Sequence, residues 1–176
     1  MDPIRNPYAP GAGQRPPELA GRDEQISTFD VVVARIAKGR PERSIVLIGL
    51  RGVGKTVLLN RFAELAEMAG WESIELEASK HDETAFRQSI FSKFRAALLH
   101  ISPRRRWSER ARHAAEVLSS FVLSIDQSGT FSVTWDVDPS EGYGDHGDLG
   151  LDLTDVFLAV GEVAKEKGCL LYTSPS

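Results

Sequence analysis

Eight consecutive residues have the types and spacing to hold a phosphate: Gly49, Leu50, Arg51, Gly52, Val53, Gly54, Lys55 and Thr56. They satisfy the pattern G-x-x-x-x-G-K-[ST]. A triphosphate needs many donors converging on its oxygens. Backbone N–H groups at a helix start supply them, together with the positive end of the helix dipole. Glycines at 49, 52 and 54 let the backbone curl round an anion without a Cβ in the way, forming an anion-binding nest. Lys55 is the cation expected to reach the β- and γ-phosphates and to carry transition-state charge, and the Thr56 hydroxyl is the expected magnesium ligand.

The flanking elements decide whether such a pattern is a phosphate loop or an accidental glycine-rich turn. Ile45 to Ile48 are four consecutive apolar residues, mostly β-branched, and predict a short buried strand within 44–48. From Val57 to Ala69, Leu58, Phe62, Leu65, Ala66 and Ala69 fall on one helical face. Strand, glycine-rich loop and helix together make a Walker A motif.

Length and composition bound the remainder. At 176 residues, 41% hydrophobic and 26% charged with a formal net charge of −4, the chain reads as one globular domain. No apolar run approaches the ~18 residues of a membrane span, and the N-terminus lacks the apolar stretch of a secretory signal. Cys169 is the single cysteine, which fits a reducing cytoplasm. His81, His100, His113 and His146 show no metal-ligand spacing.

Residues 1–18 are expected to be an extended arm, since residues 1–20 hold five prolines and two glycines. An amphipathic helix follows, marked by Ile26, Phe29, Val32, Val33 and Ile36, and Gly39 to Pro41 stop it. Composition alone reads Leu19 to Asp23 as a turn before that helix. The L-x-G-R-[DE] box at Leu19, Gly21, Arg22 and Asp23, some thirty residues ahead of the Walker A motif, resembles the N-terminal signature of AAA+ ATPases. It is most similar to the branch holding origin-recognition-like, archaeal-type and signal-transduction ATPases. Asn6 to Glu18 also resembles the opening of bacterial ATP-binding proteins of this group. The resemblance covers roughly residues 3–168. It implies a P-loop three-layer α/β/α domain over 19–168, ATP with Mg2+ as ligand, and Leu19, Gly21 and Arg22 against the adenine and ribose.

Further along, Ile74, Leu76 and Ala78 alternate with Glu75 and Glu77, predicting a half-exposed strand over 71–78. Asp82 is an N-cap candidate for a helix through Ile101, with Phe86, Ile90, Phe94, Leu98 and Ile101 on one face. Strand–helix alternation is the α/β pattern of a parallel sheet flanked by helices. Pro103 to His113 carries five arginines. Arginines beside Trp107 could contact nucleic acid, but charges leading into a helix such as 108–120 read more simply as its solvated face. Two β-rich runs around Asp126 to Thr130 predict a hairpin over about 121–137, resembling an insertion carried by the same bacterial group. Residues 136–155 hold seven acids and no Lys or Arg. Glu141 and Gly147 break the EF-hand calcium pattern, which leaves a solvated polar loop leading into a helix over 148–167.

A P-loop ATPase also needs an apolar strand ending in an acid. The candidate, Phe121 to Asp126, runs into the hairpin turn and has Gln at 127 where a second acid is wanted. The family's Walker B strand follows a helix like 148–167, so the chain is expected to be an N-terminal fragment, truncated before that strand. Cys169 to Ser176 back-translates to a sequence resembling a transposon-based sequencing adaptor, and 169–176 is expected to be a non-native tail. Strands 44–48 and 72–78 are then expected to have no sheet neighbours, and the isolated chain to be poorly folded and without ATP hydrolysis. Sensor residues, an arginine finger and any DNA-binding module are expected beyond residue 176. In the full-length protein, hydrolysis is expected to drive or gate remodelling of a protein or DNA partner, with homo-oligomers allowed. The alternatives are a nucleotide-gated switch with little turnover, or a small-molecule kinase with Arg104 to Arg106 as its lid.

Overall fold

Two amphipathic stripes build the first of two units, residues 1–70 and 71–176, into which the chain divides. The structure is a computed structural model describing residues 21–76, 82–123 and 137–175. Helix α1 spans Asp23–Ala37 and buries Phe29 and Val33, with Asp23 and Glu24 in the first turn where the dipole favours acids. Gly39, at φ 72°, turns the chain out of the helix, and the Arg40 N–H bonds back to the Arg35 carbonyl at 3.0 Å. Helix α2 spans Lys55–Met68 and buries Leu58, Phe62 and Ala66. The Phe29 and Phe62 rings stack with centroids 4.3 Å apart and planes 6° from parallel, joining α1 to α2. Ala69, expected on the buried face of α2, lies past its end and is exposed.

The strand expected at 44–48 does not form. Residues 41–50 are irregular, with Val46 75% and Ile48 91% exposed. An apolar run becomes a strand only when a neighbour takes its backbone N–H and C=O groups. Among the described residues none pairs with it.

In the second unit, strand β1 (Glu72–Leu76) buries Ile74 and Leu76 and turns Glu75 outward, as its alternation predicts. Helix α3 (Glu83–Ile101) starts at Asp82, whose carboxylate accepts the Ala85 N–H at 2.9 Å. A short 3-10 turn, Arg104–Arg106, leads to helix α4 (Glu109–Leu123), and helix α5 (Leu149–Glu166) is capped by Asp148 through the Leu151 N–H at 3.0 Å. One core joins Ile74 and Leu76 to Ile90, Phe94 and Leu98 of α3, Val117, Leu118 and Phe121 of α4, and Val156, Val160 and Val163 of α5. Mixed helix and strand of this kind is compatible with a P-loop α/β fold.

Three expectations need correction here. Phe121, Val122 and Leu123 belong to α4 rather than to a hairpin strand. Ala114, Val117, Leu118, Phe121 and Val122 continue one three-and-four-residue stripe into the core, and this burial outweighs the β propensity of the run. The rest of the hairpin, with Asp126, lies outside the described residues except Val137, which is irregular. Strand β1 is also not without a sheet neighbour. Strand β2 (Leu171–Pro175) pairs with it in parallel, Glu72 against Leu171 through Leu76 against Pro175. An open strand edge accepts any extended segment, because ladder bonds are made by backbone groups alone. Lastly, the acid-rich stretch 136–155 is not wholly solvated, since Asp152, which lies in α5 rather than in the loop before it, is fully buried.

Candidate phosphate-binding site

The glycine-rich loop reaches α2 through two residues only glycine adopts without strain, Gly52 at φ 84° and Gly54 at φ 82°. Gly54 is the residue immediately before α2, and its carbonyl accepts the Leu58 N–H at 3.0 Å as the first bond of the helix. Gly49 has no unusual φ, but a Cβ there would lie 3.1 Å from Val53 Cγ2. No acid occupies the first turn of α2, so no carboxylate of that turn competes with an anion for its N-terminus.

Lys55 is the first residue of α2, and its Nζ turns back over the loop, donating to the carbonyls of Gly49 (2.9 Å) and Leu50 (2.7 Å). Thr56 follows in the same turn and is exposed, as are Leu50, Arg51 and Val53. A loop stripped of Cβ atoms at its turns, a lysine ammonium above it and a hydroxyl in the first helical turn together fit a nucleotide phosphate with its magnesium. Lys55 would hold phosphate oxygens and Thr56 would ligate the metal, which supplies charge neutralisation when bound.

Of the residues expected at the base side, Leu19 lies outside the described residues and Gly21 is an exposed turn residue at φ 74°. Arg22 reaches the glycine-rich loop itself, with Nη2 donating to the Val53 carbonyl at 2.6 Å. Arg104 to Arg106, the lid of the kinase alternative, are exposed residues of the second unit. Among the described residues no group of His, Cys, Asp or Glu is placed to hold a metal ion.

Sequence reasoning passed over one buried constellation in the second unit. Arg87 Nη1 donates to Asp152 Oδ2 at 2.8 Å, and its Nε and Nη2 both donate to Glu83 Oε1 at 3.0 Å. The guanidinium lies 4.8 Å from the Phe121 ring centroid. Asp152 Oδ1 accepts the His146 N–H at 2.8 Å, and Asp155 Oδ2 accepts the Gly144 N–H at 2.9 Å, which fastens the acid-rich loop to α5. A signal was present, because Arg87 sits three residues before Ile90 and seven before Phe94 on the apolar stripe of α3.

A family model of the AAA ATPase domain matches residues 18–172. The chain belongs to the AAA ATPase domain family. The match begins just ahead of the Arg22 box and includes the whole glycine-rich loop, so the nucleotide-binding ATPase character of the AAA domain applies to this chain. No curated protein and no solved structure matches it. Among the described residues no helix is long and apolar enough to cross a membrane.

Proposed function

We propose that this AAA domain binds ATP with Mg2+ at Gly49 to Thr56 and, in the full-length protein, couples ATP hydrolysis to remodelling of a protein or DNA partner. The observation that carries the reading is Lys55 at the head of α2, behind the two left-handed glycines 52 and 54. That arrangement sets a cation, backbone donors and a helix dipole around one point. The L-x-G-R-[DE] box supports placing the chain nearest the origin-recognition-like, archaeal-type group, and the lone Cys169 suits a cytoplasmic setting. Homo-oligomers fit the family, in which they are frequent.

A second reading, a nucleotide-gated switch with little turnover, is favoured by the two bonds Lys55 makes to the loop's own carbonyls. The same ammonium that ties these two carbonyls has a third N–H for a phosphate, so nucleotide binding bears directly on the bonds that hold the loop. ATP turnover by the full-length protein, measured with and without duplex DNA and candidate protein partners, separates the two. Remodelling predicts turnover stimulated several-fold by a partner. Saturable ATP binding with slow turnover that no partner changes favours the switch.

A further inference from the structure

We infer that Arg22 is a positioning residue for the phosphate loop: its guanidinium anchors the Val53 carbonyl and thereby aims the Gly54 N–H at the bound phosphate. The inference rests on the reading of Gly49 to Thr56 as the phosphate site, and differs from a role for Arg22 against the base. The contact is a charge-assisted hydrogen bond of 2.6 Å from Nη2 to the Val53 carbonyl oxygen, spanning 31 positions in sequence.

The geometry of one peptide unit makes that contact consequential. The Val53 C=O and the Gly54 N–H belong to the same planar trans peptide, so they point in opposite directions. Whatever holds the carbonyl from one side fixes the direction of the N–H on the other. The backbone does not hold this plane unaided. Gly54 stands at φ 82°, and glycine visits positive and negative φ about equally, so its φ puts up little resistance to rotation of the 53–54 peptide. Lys55 does not hold it either, because its ammonium is bonded to the carbonyls of Gly49 and Leu50. Arg22 is therefore the side chain that ties down the 53–54 peptide, which lies between Gly52 and α2.

Position 22 is suited to this task. Arg22 immediately precedes α1, and its own carbonyl accepts the Ile26 N–H at 3.0 Å. Its side chain makes no capping bond to that helix, so truncation at Cβ removes the contact to Val53 and leaves the first bond of α1 intact. The anchor of the phosphate loop is thus set at the start of α1, which Phe29, about two turns further along, packs onto α2.

The test separates phosphate positioning from base recognition with a ligand that has no base. Binding of Mg·ATP, Mg·GTP and inorganic tripolyphosphate is measured by calorimetry for wild type, Arg22→Ala, Arg22→Lys and Lys55→Ala. Loss of one exposed charge-assisted bond predicts that Arg22→Ala weakens ATP and tripolyphosphate by the same factor, roughly five- to tenfold, with the ATP-to-GTP ratio unchanged. Arg22→Lys keeps a cationic donor and recovers most of the loss for both ligands. Thermal unfolding of Arg22→Ala should coincide with wild type, which excludes a general folding defect. A loss confined to ATP and GTP with tripolyphosphate unaffected, or no loss at all, overturns the inference while leaving the phosphate site standing. Wild type binding none of the three ligands, or Lys55→Ala binding all three as wild type does, removes the phosphate site and this inference with it.

Discussion

Arg87 and Asp152 show what a single charged side chain does when the stripe around it is apolar. Each is buried, and each is satisfied: Arg87 by Asp152, Glu83 and the Phe121 ring, Asp152 by Arg87 and the His146 N–H. Removing one partner of a buried pair leaves the other charge without compensation, which typically costs about 3–5 kcal/mol. Asp152→Ala is therefore expected to lower the urea midpoint strongly, while Arg87→Met with Asp152→Leu, which removes both charges, recovers most of the loss. Equal destabilisation by the single and double variants would contradict this account of the pair. Periodicity puts Arg87 on the apolar stripe of α3 but could not reveal the pair, because it does not tell which acid of seven meets an arginine 65 positions away. The conformation of the glycine-rich loop was legible for the opposite reason. The left-handed turns of glycines 52 and 54 and the helix start at Lys55 are local backbone features, which a short pattern encodes without reference to the rest of the chain.

Helices were read from the sequence more faithfully than strands, and the cause lies in where each finds its hydrogen bonds. The bonds of α3 and α5 are made within the segment, and Asp82 caps α3 as its position suggested, with Asp148 doing the same for α5. The run 45–48 needs a neighbour that no local pattern can supply, and β1 found one in Leu171–Pro175, residues expected to carry no strand. At this scale α4 and α5 are also joined by a titratable contact. Ser108 Oγ receives the Ala111 N–H at 3.3 Å near the start of α4 and donates to Glu166 Oε2 at 3.0 Å at the end of α5. That hydroxyl first, then Arg110 and Lys167, holds the Glu166 carboxyl below the ordinary carboxylate range. A depressed folded-state pKa stabilises the fold above the unfolded value, and the contribution is lost as pH falls through the folded one. NMR titration should therefore find the Glu166 pKa raised toward the ordinary value in Ser108→Ala. An unchanged titration would show that the hydroxyl is not the cause.

For the molecule as a whole, the division of labour follows the two units. The proposed phosphate loop, Arg22 and α2 lie in the first, with the Phe29–Phe62 stack joining α1 to α2, while the second carries the larger core of α3, α4 and α5. The family match runs across both, from 18 to 172, so the AAA domain comprises the two together. Everything proposed for its function depends on one claim, that the loop from Gly49 to Thr56 takes the phosphates of ATP through Lys55. Calorimetric titration of Mg·ATP into wild type and Lys55→Ala tests it directly. Saturable one-to-one binding by wild type and none detectable in the variant is the expected result, because Lys55 is the ammonium already poised over the loop. Equal affinity in the two proteins would contradict it.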